Sequence, residues 1–460
     1  MKGSRPDVSM PEKALVVGLG ISGRSVCDLL LRHGVEVRAT DMKSRGEFGA
    51  ILDSLEARGC RFRLGRHEVE DFLGVDQIIV SPGVPLEIEP LQKAAQKGVE
   101  IVGELDWAWR MTDRPVIAVT GTNGKTTTTT LIGEILQRAG KRAFVGGNIG
   151  TPLSEWIASG QEVDYLVLEV SSFQLDTAPL FYPEMGVLLN ITEDHLDRYK
   201  SFSAYADSKM SLFKRQDSSH VAVLNGDDPL CRARAHEVPG RVLVYSRKEP
   251  SAHAVVRERR VVIDIPGKEQ VSFPLNGSSL RGVHNEENIL AAGLVAVSLG
   301  ISPQVLEQTV RQYRVPPHRL ELVRTWMGID FYDDSKGTNV GAVVKALENF
   351  RQPVRLLLGG RDKLGSYGPI GERMKERGEA VYAFGEAASR MVEELGKWIP
   401  VRSFPDLSQA FEEAVRDAKA GEVVLLSPAC SSFDQYQSYS QRGDHFRRLV
   451  SQLDDERKGA

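Results

Sequence analysis

The sequence is poor in cysteine, in net charge and in long apolar runs, and each scarcity removes a class of protein. Cysteine occurs only at Cys27, Cys60, Cys231 and Cys430, with no CxxC pair. That argues against a disulfide framework or a zinc knuckle and for a reducing, cytoplasmic setting. The 58 Lys and Arg nearly balance the 62 Asp and Glu, for a formal charge of −4. A chain so balanced is a poor general binder of nucleic acid or membrane surfaces, although a local basic pocket for a phosphorylated ligand stays open. No stretch approaches the ~20 apolar residues that span a bilayer. The opening, MKGSRPDVSMPEK, lacks the apolar run of a secretory leader.

What is present is ordinary globular material, 41% hydrophobic and 26% charged, enough for two to four domains at ~100–200 residues each. Three regions alternate strand and helix. The first runs from Ala14–Val17 through a helix over 22–33 to strands at Val35–Ala39 and Gln77–Val80. The second starts at Pro115–Thr120, continues with a helix over 126–139, and adds strands at Tyr165–Val170 and Met185–Asn190. The third holds Ile329–Tyr332, Val354–Gly360, Ala380–Gly385 and Glu422–Ser427. Strands separated by helices imply parallel sheets and an α/β class. Val315-Pro316-Pro317-His318 reads as a linker and a first break falls near Trp107–Thr112, giving expected domains 1–108, 109–315 and 316–460.

Several loops at strand ends carry chemistry. Thr120-Gly121-Thr122-Asn123-Gly124-Lys125-Thr126-Thr127 lies between a strand and a helix. Its glycines let amides turn in around phosphate, and the helix N-terminus adds partial positive charge. Lys125 would reach the terminal phosphates and Thr126 would hold Mg²⁺. Val119 occupies the first glycine position of the standard pattern, so this is a shorter GxxGKT variant. Gly18-Leu19-Gly20-Ile21-Ser22-Gly23 fits GxGxxG, with Asp41 placed for a ribose; alone it suits NAD as well as any other pyrophosphate-bearing ligand. Glu169 ends a strand, and Asn190-Ile191-Thr192-Glu193-Asp194-His195 follows another, so Glu169 and His195 can converge on Mg²⁺. Asp333-Asp334-Ser335-Lys336-Gly337-Thr338-Asn339 is either an anion-binding junction or a helix cap. Cys430 has no identifiable base and reads as packing, and Lys209 by composition is a solvated helix lysine.

Taken in order, these segments resemble the Mur ligases along nearly the whole chain: SPGV at Ser81, GTNGKTT at Gly121, GGNIG at Gly146, LEVSSFQL at Leu168, NITEDHLDRY at Asn190, HNEEN at His284, PHRLE at Pro317, DDSKGTN at Asp333, GGRDK at Gly359 and SPACSSFDQY at Ser427. DSKGTN and SPACSSFDQ belong to the branch that adds D-glutamate. The resemblance implies a Rossmann-like first domain for a UDP-linked substrate, a P-loop ATPase-like central domain, and a Rossmann-like third domain for the amino acid. It implies an ATP-dependent ligase that adds D-glutamate to UDP-N-acetylmuramoyl-L-alanine through an acyl-phosphate, in the synthesis of peptidoglycan precursor. The expected catalytic residues are Lys125, Glu169, His195 and Lys209. ATP is expected at Gly121, Thr122, Asn123, Gly124, Lys125, Thr126, Thr127, Asn285, Asn288, Arg319 and Asp334. The UDP-substrate is expected at Gly20, Ile21, Ser22, Asp41, Arg45, Ser81, Gly83, Asn148 and His195. D-glutamate is expected at Lys336, Thr338, Lys363, Ser432, Phe433 and Tyr439. Two Mg²⁺ ions are expected on Thr126, Glu169, His195 and a carbamoylated Lys209. A cytoplasmic monomer acting on small molecules is the resulting expectation.

Other readings explain less. A sister ligase for another amino acid, or a folylpolyglutamate synthase, shares the phosphate loop but differs in the third domain. An NAD-dependent dehydrogenase leaves Gly121 and Lys125 unexplained. A nucleotide switch leaves the first and third regions without a role.

Overall fold

The computed structural model describes residues 10–453, apart from 197, 279 and 281. Residues 1–9, read above for a leader, lie outside the described residues. The described strands form three sheets. In the first, β1 (Lys13–Val17), β2 (Glu36–Asp41), β3 (Arg61–Leu64), β4 (Gln77–Val80) and β5 (Glu100–Gly103) lie in the order 3-2-1-4-5. All its pairings are parallel. The side-chain period of two divides β1 between two cores. Ala14 and Val16 pack with Val26, Leu30 and Ile79, whereas Leu15 and Val17 pack with Phe72, Ile78 and Leu91. A sheet buried on both faces needs apolar residues at successive positions, which is why β1 and β4 read as unbroken runs.

The second sheet holds β6 (Val116–Thr120), β7 (Ala143–Gly147), β8 (Tyr165–Glu169), β9 (Met185–Leu188), β10 (Val221–Asn225), β11 (Arg241–Ser246), β12 (Ala254–Arg257), β13 (Arg260–Ile263) and β14 (Val271–Pro274). Its order is 14-13-12-11-10-9-6-8-7. Strands β7 to β12 are parallel, and β13 and β14 close one edge as antiparallel hairpins. The third sheet holds β15 (Glu321–Trp326), β16 (Ile329–Asp333), β17 (Val354–Gly359), β18 (Gly378–Phe384), β19 (Val401–Phe404) and β20 (Val423–Leu426), in the order 15-16-20-17-18-19. Only β15 runs against its neighbour.

The expected three-part α/β architecture is therefore present. The helices expected over 22–33 and 126–139 lie at Ile21–Arg32 and Lys125–Arg138. The expected strand Met185–Asn190 stops at Leu188, which frees Asn190 for the phosphate loop. One apolar core runs without a break from Val16 and Leu30 through Trp107 and Trp109 to Trp156 and Leu168. It joins the first two sheets through the helix Glu104–Arg110, which runs across residue 108. The third sheet has cores of its own on its two faces. No described helix is long and apolar enough to cross a membrane.

Candidate active site

The site lies where the carboxyl ends of parallel strands meet, as open α/β sheets favour. After β6, Gly121 takes φ 146 and Gly124 φ 87, both in the region glycine favours. A Cβ at Gly124 would come within 2.5 Å of Asn288 Oδ1. Asn190 braces the loop: its carbonyl accepts from the Thr122 amide at 2.9 Å and its Oδ1 from the Asn123 amide at 2.8 Å. Lys125 Nζ folds back onto the carbonyls of Gly121 and Thr122, at 2.8 and 2.9 Å. Burial, with Arg319 and Lys363 nearby, lowers the Lys125 pKa, against the pull of Glu169 and Asp194.

The sequence reading of Lys209 as solvated is corrected: it is 1% exposed. Its Nζ donates to Gly121 O at 2.9 Å, so two lysines share one carbonyl oxygen. Nζ also lies 4.5 Å from the centre of the Tyr205 ring. Burial first, and Lys125 second, drive its pKa well below the usual lysine value. A lysine so placed favours a neutral amine, the form that reacts with carbon dioxide.

Glu169 is buried at the end of β8. Oε1 accepts from Asn148 Nδ2 at 2.8 Å, whereas Oε2 is buried without a partner. A buried carboxylate oxygen left unpaired is costly, and a cation would satisfy it. Asn148, expected at the substrate, thus holds the carboxylate in place. His195 sits on a turn at φ 55, its ring 4.8 Å from that of Phe173. Among the described residues no three His, Cys, Asp or Glu gather as a metal cage. The expected donor set, with a hydroxyl and a modified lysine, does not require one.

A cavity of about 670 Å³ opens between the second and third sheets. Asn123, Gly124, Thr127, Asn285, Asn288, Arg319 and Asp334 line it, which gathers most of the expected ATP residues, and Lys336 joins them. Asn288 Oδ1 accepts from Thr128 Oγ1 at 3.1 Å. Asp334 accepts from Ser427 Oγ at 2.6 Å and the Leu320 amide at 3.1 Å, and burial raises its pKa to about 7. Lys336 lies 3.9 Å from the centre of the Tyr439 ring. Burial, then Arg319, bring its pKa down to about 8. Thr338 follows on the same loop, its amide bonded to Lys336 O at 2.8 Å. Ser432 is buried on the loop after β20, and Phe433 beside it is 61% exposed.

Polar contacts carry the third domain onto the phosphate loop and onto Asp194 in the loop after β9. Lys363 Nζ pairs with Asp194 Oδ1 at 3.0 Å. Asn339 Nδ2 donates to Asn123 Oδ1 at 3.0 Å and to Asp194 Oδ2 at 3.2 Å. Burial opposes the Asp194 charge, yet Lys363 and His195 hold its pKa below the usual value. Sequence reasoning missed Asp194 and Asn339, although both stand in motifs it quoted. It also missed Arg442, which is fully buried. Its guanidinium donates to Ser335 Oγ and O, Gly359 O and Cys430 O, at 2.9–3.2 Å. One side chain thereby ties together the loops after β16, β17 and β20. Burial lowers its pKa to about 10.

At the first domain, Ile21 is 59% exposed at the head of its helix. Asp41 accepts from the Leu19 amide at 2.6 Å and the Lys43 amide at 2.9 Å, so it shapes the glycine loop. Ser81 Oγ donates to Gly18 O at 2.8 Å. Arg45 is paired with Asp53 and Glu56, at 2.6 and 2.7 Å. Gly20 caps the helix that starts at Ile21, Ser22 follows in its first turn, and Gly83 lies on the turn after β4.

Comparison with known proteins accounts for this arrangement from end to end. Residues 12–103 match the family described as Mur ligase MurD-like, N-terminal domain. Residues 119–296 match the Mur ligase middle domain, and 318–430 the Mur ligase glutamate ligase domain. A protein of Geotalea daltonii named UDP-N-acetylmuramoylalanine–D-glutamate ligase is 43% identical over 442 residues, 96% of this chain and 98% of its own. The structure of UDP-N-acetylmuramate-alanine ligase from Thermotoga maritima superposes with a TM-score of 0.61 at 18% identity, covering 96% of this chain and all of its own. That of the MurF ligase from Thermotoga maritima, in complex with ADP, gives 0.59 at 19% identity, over 96% and 95%. Three successive matches in one order, with a relative 43% identical over 96% of the chain, establish that the chain belongs to the Mur ligase family.

Proposed function

We propose that the protein adds D-glutamate to UDP-N-acetylmuramoyl-L-alanine, using ATP and releasing ADP and phosphate. The domains 1–108, 109–315 and 316–460 would take the UDP-linked precursor, the nucleotide and the amino acid. The observation that carries this reading is the closure of Lys363 and Asn339 onto Asp194 and Asn123. It joins a lysine pocket suited to a dicarboxylate to the phosphate loop.

The precursor carboxylate would attack the γ-phosphate, forming an acyl-phosphate and expelling ADP. The amine of D-glutamate would then attack the acyl carbon and expel phosphate. Such transfer is chiefly positioning and charge neutralisation. Lys125 would leave the carbonyls of Gly121 and Thr122 to face the transferred phosphoryl group. Lys336 and Lys363 would take the carboxylates of D-glutamate, with Thr338, Ser432 and Tyr439 beside them. The unpaired Glu169 Oε2 and the buried amine of Lys209, held by Gly121 O with no carboxylate among the described residues bonded to it, fit a magnesium site. Thr126 and Glu169 would hold one ion, and His195 with a carbamoylated Lys209 a second. When bound, magnesium supplies positive charge against the developing charge on the phosphates. Arg319, Asn285, Asn288 and Asp334 would hold the nucleotide. In this reading the protein is a cytoplasmic monomer.

The test is phosphate release from ATP and magnesium with the precursor, comparing D-glutamate, L-glutamate, L-lysine and diaminopimelate. Turnover with D-glutamate alone is expected. Turnover with another amino acid instead would keep the ligase and discard the pocket assignment.

A further inference from the structure

Arg198 follows His195 by three residues, and its side chain crosses to the first domain. Nη1 and Nη2 donate to the carbonyl oxygens of Gly83 and Val84, at 3.0 and 2.9 Å. These two residues form the turn after β4, which Ser81 ties to the glycine loop through Gly18 O at 2.8 Å. The guanidinium also lies over the face of Phe173, 4.4 Å from the ring centre. Phe173 belongs to the short helix Ser172–Asp176 that follows Glu169. The His195 ring meets that same phenyl edge-on at 4.8 Å. In the backbone, the amides of Arg198 and Tyr199 both donate to His195 O, at 2.9 and 3.0 Å, closing the turn on which His195 sits.

We infer that Arg198 is a positioning residue for the ligation, setting the first domain's substrate turn against the turn of His195. The inference rests on the function proposed above. A guanidinium is a rigid planar fork, so two bonds to successive carbonyls fix orientation as well as distance. The stacking on Phe173 removes the remaining freedom of the side chain. Holding the two domains together is not its task, because the continuous core through Trp107 and Trp109 does that. What the fork governs is where the reacting end of the precursor arrives, and a displacement of about 1 Å there is costly to the rate.

The experiment compares wild type, Arg198→Ala and Arg198→Lys in steady-state turnover of UDP-N-acetylmuramoyl-L-alanine with ATP and D-glutamate. Direct ADP binding and thermal unfolding are measured alongside. For Arg198→Ala, KM for the precursor should rise and kcat fall, each roughly tenfold, as expected for losing hydrogen bonds from a charged donor. The ADP affinity and the melting temperature should stay at wild-type values, and Arg198→Lys should recover only part of kcat. A kcat and KM equal to wild type would overturn the inference, as would an ADP affinity that falls as far as the precursor's. If the alanine variant does not fold, the lysine variant decides, and wild-type kinetics in it overturns the inference. A wild-type enzyme silent on this precursor is a different result, and it brings down the functional reading itself.

Discussion

Replacing Arg442 by alanine should loosen the amino-acid pocket and lower the stability of the third domain without touching any proposed substrate contact. The guanidinium is 0% exposed and bonds only to neutral oxygens: Ser335 Oγ and the carbonyls of Ser335, Gly359 and Cys430. Each such bond from a charged donor is worth about 1.5–3 kcal/mol, and each carbonyl left dry costs about 1–3. Against these gains stands the burial of an unpaired charge, which costs several kcal/mol and is reflected in the pKa lowered to about 10. The net loss on truncation is then on the order of 2–4 kcal/mol. At about 2–4 °C per kcal/mol for a unit of this size, melting should fall by roughly 5–15 °C. Because the third sheet has its own cores, calorimetry should show the loss in one transition and not in the other. KM for D-glutamate should rise, since Lys336 and Lys363 hang on two of the three loops. Arg442→Lys keeps the charge but not the fork and should recover less than half of the loss. An alanine variant with unshifted melting and unchanged KM for D-glutamate would refute the reasoning.

Three further outcomes follow from the same geometry. Asp334 titrates near 7 when folded against 3.8 as a free group, because burial disfavours its charge. The folded chain therefore holds a proton that the unfolded chain has released, so stability should fall as pH rises from about 4 to 7, by at most about 4 kcal/mol. Urea unfolding at pH 5 and pH 8 should show this difference shrinking in Asp334→Asn; an equal difference in both proteins would count against it. Lys209→Ala should lose most turnover, and the intact mass of wild type should gain one carbon dioxide in bicarbonate; full activity in the variant would exclude the carbamate. Gly124→Ala would put a Cβ 2.5 Å from Asn288 Oδ1 at φ 87, a backbone strain of about 1–2 kcal/mol. ADP affinity should drop measurably by calorimetry, and wild-type affinity would show that the loop adjusts freely.

What the sequence made legible was whatever is local. The glycine spacing at Gly121 and Gly18 and the apolar runs of β1, β6 and β8 are set by neighbours a few residues away, and the structure keeps them nearly in register. Long-range pairing left no such mark. Asn123 meets Asn339 across 216 residues, and Asp194 meets Lys363 across 169. Arg442 lies in the polar run Ser440-Gln441-Arg442-Gly443-Asp444, where nothing local separates a buried arginine from a solvated one. Lys209 was misread for the same reason: the carbonyl of Gly121 that takes its Nζ lies 88 residues away.

The division of cores adds a consequence for motion. The first two domains share one apolar core, so separating them would expose Trp107, Trp109 and Trp156 together. The third shares none of it and meets the phosphate loop through Lys363, Asn339 and their polar partners. The Lys363–Asp194 pair is mostly buried, so parting it would rehydrate both charges and offset part of the attraction that is lost. Because no described apolar core spans that boundary, hinge motion at the 315–317 segment is the expected mode of opening, and scattering curves identical with and without ATP plus precursor would count against it. The first two domains form the rigid frame on which Arg198 fixes the substrate turn. Under the proposed function, opening of the third would admit nucleotide and amino acid, and its closure would keep water from the acyl-phosphate.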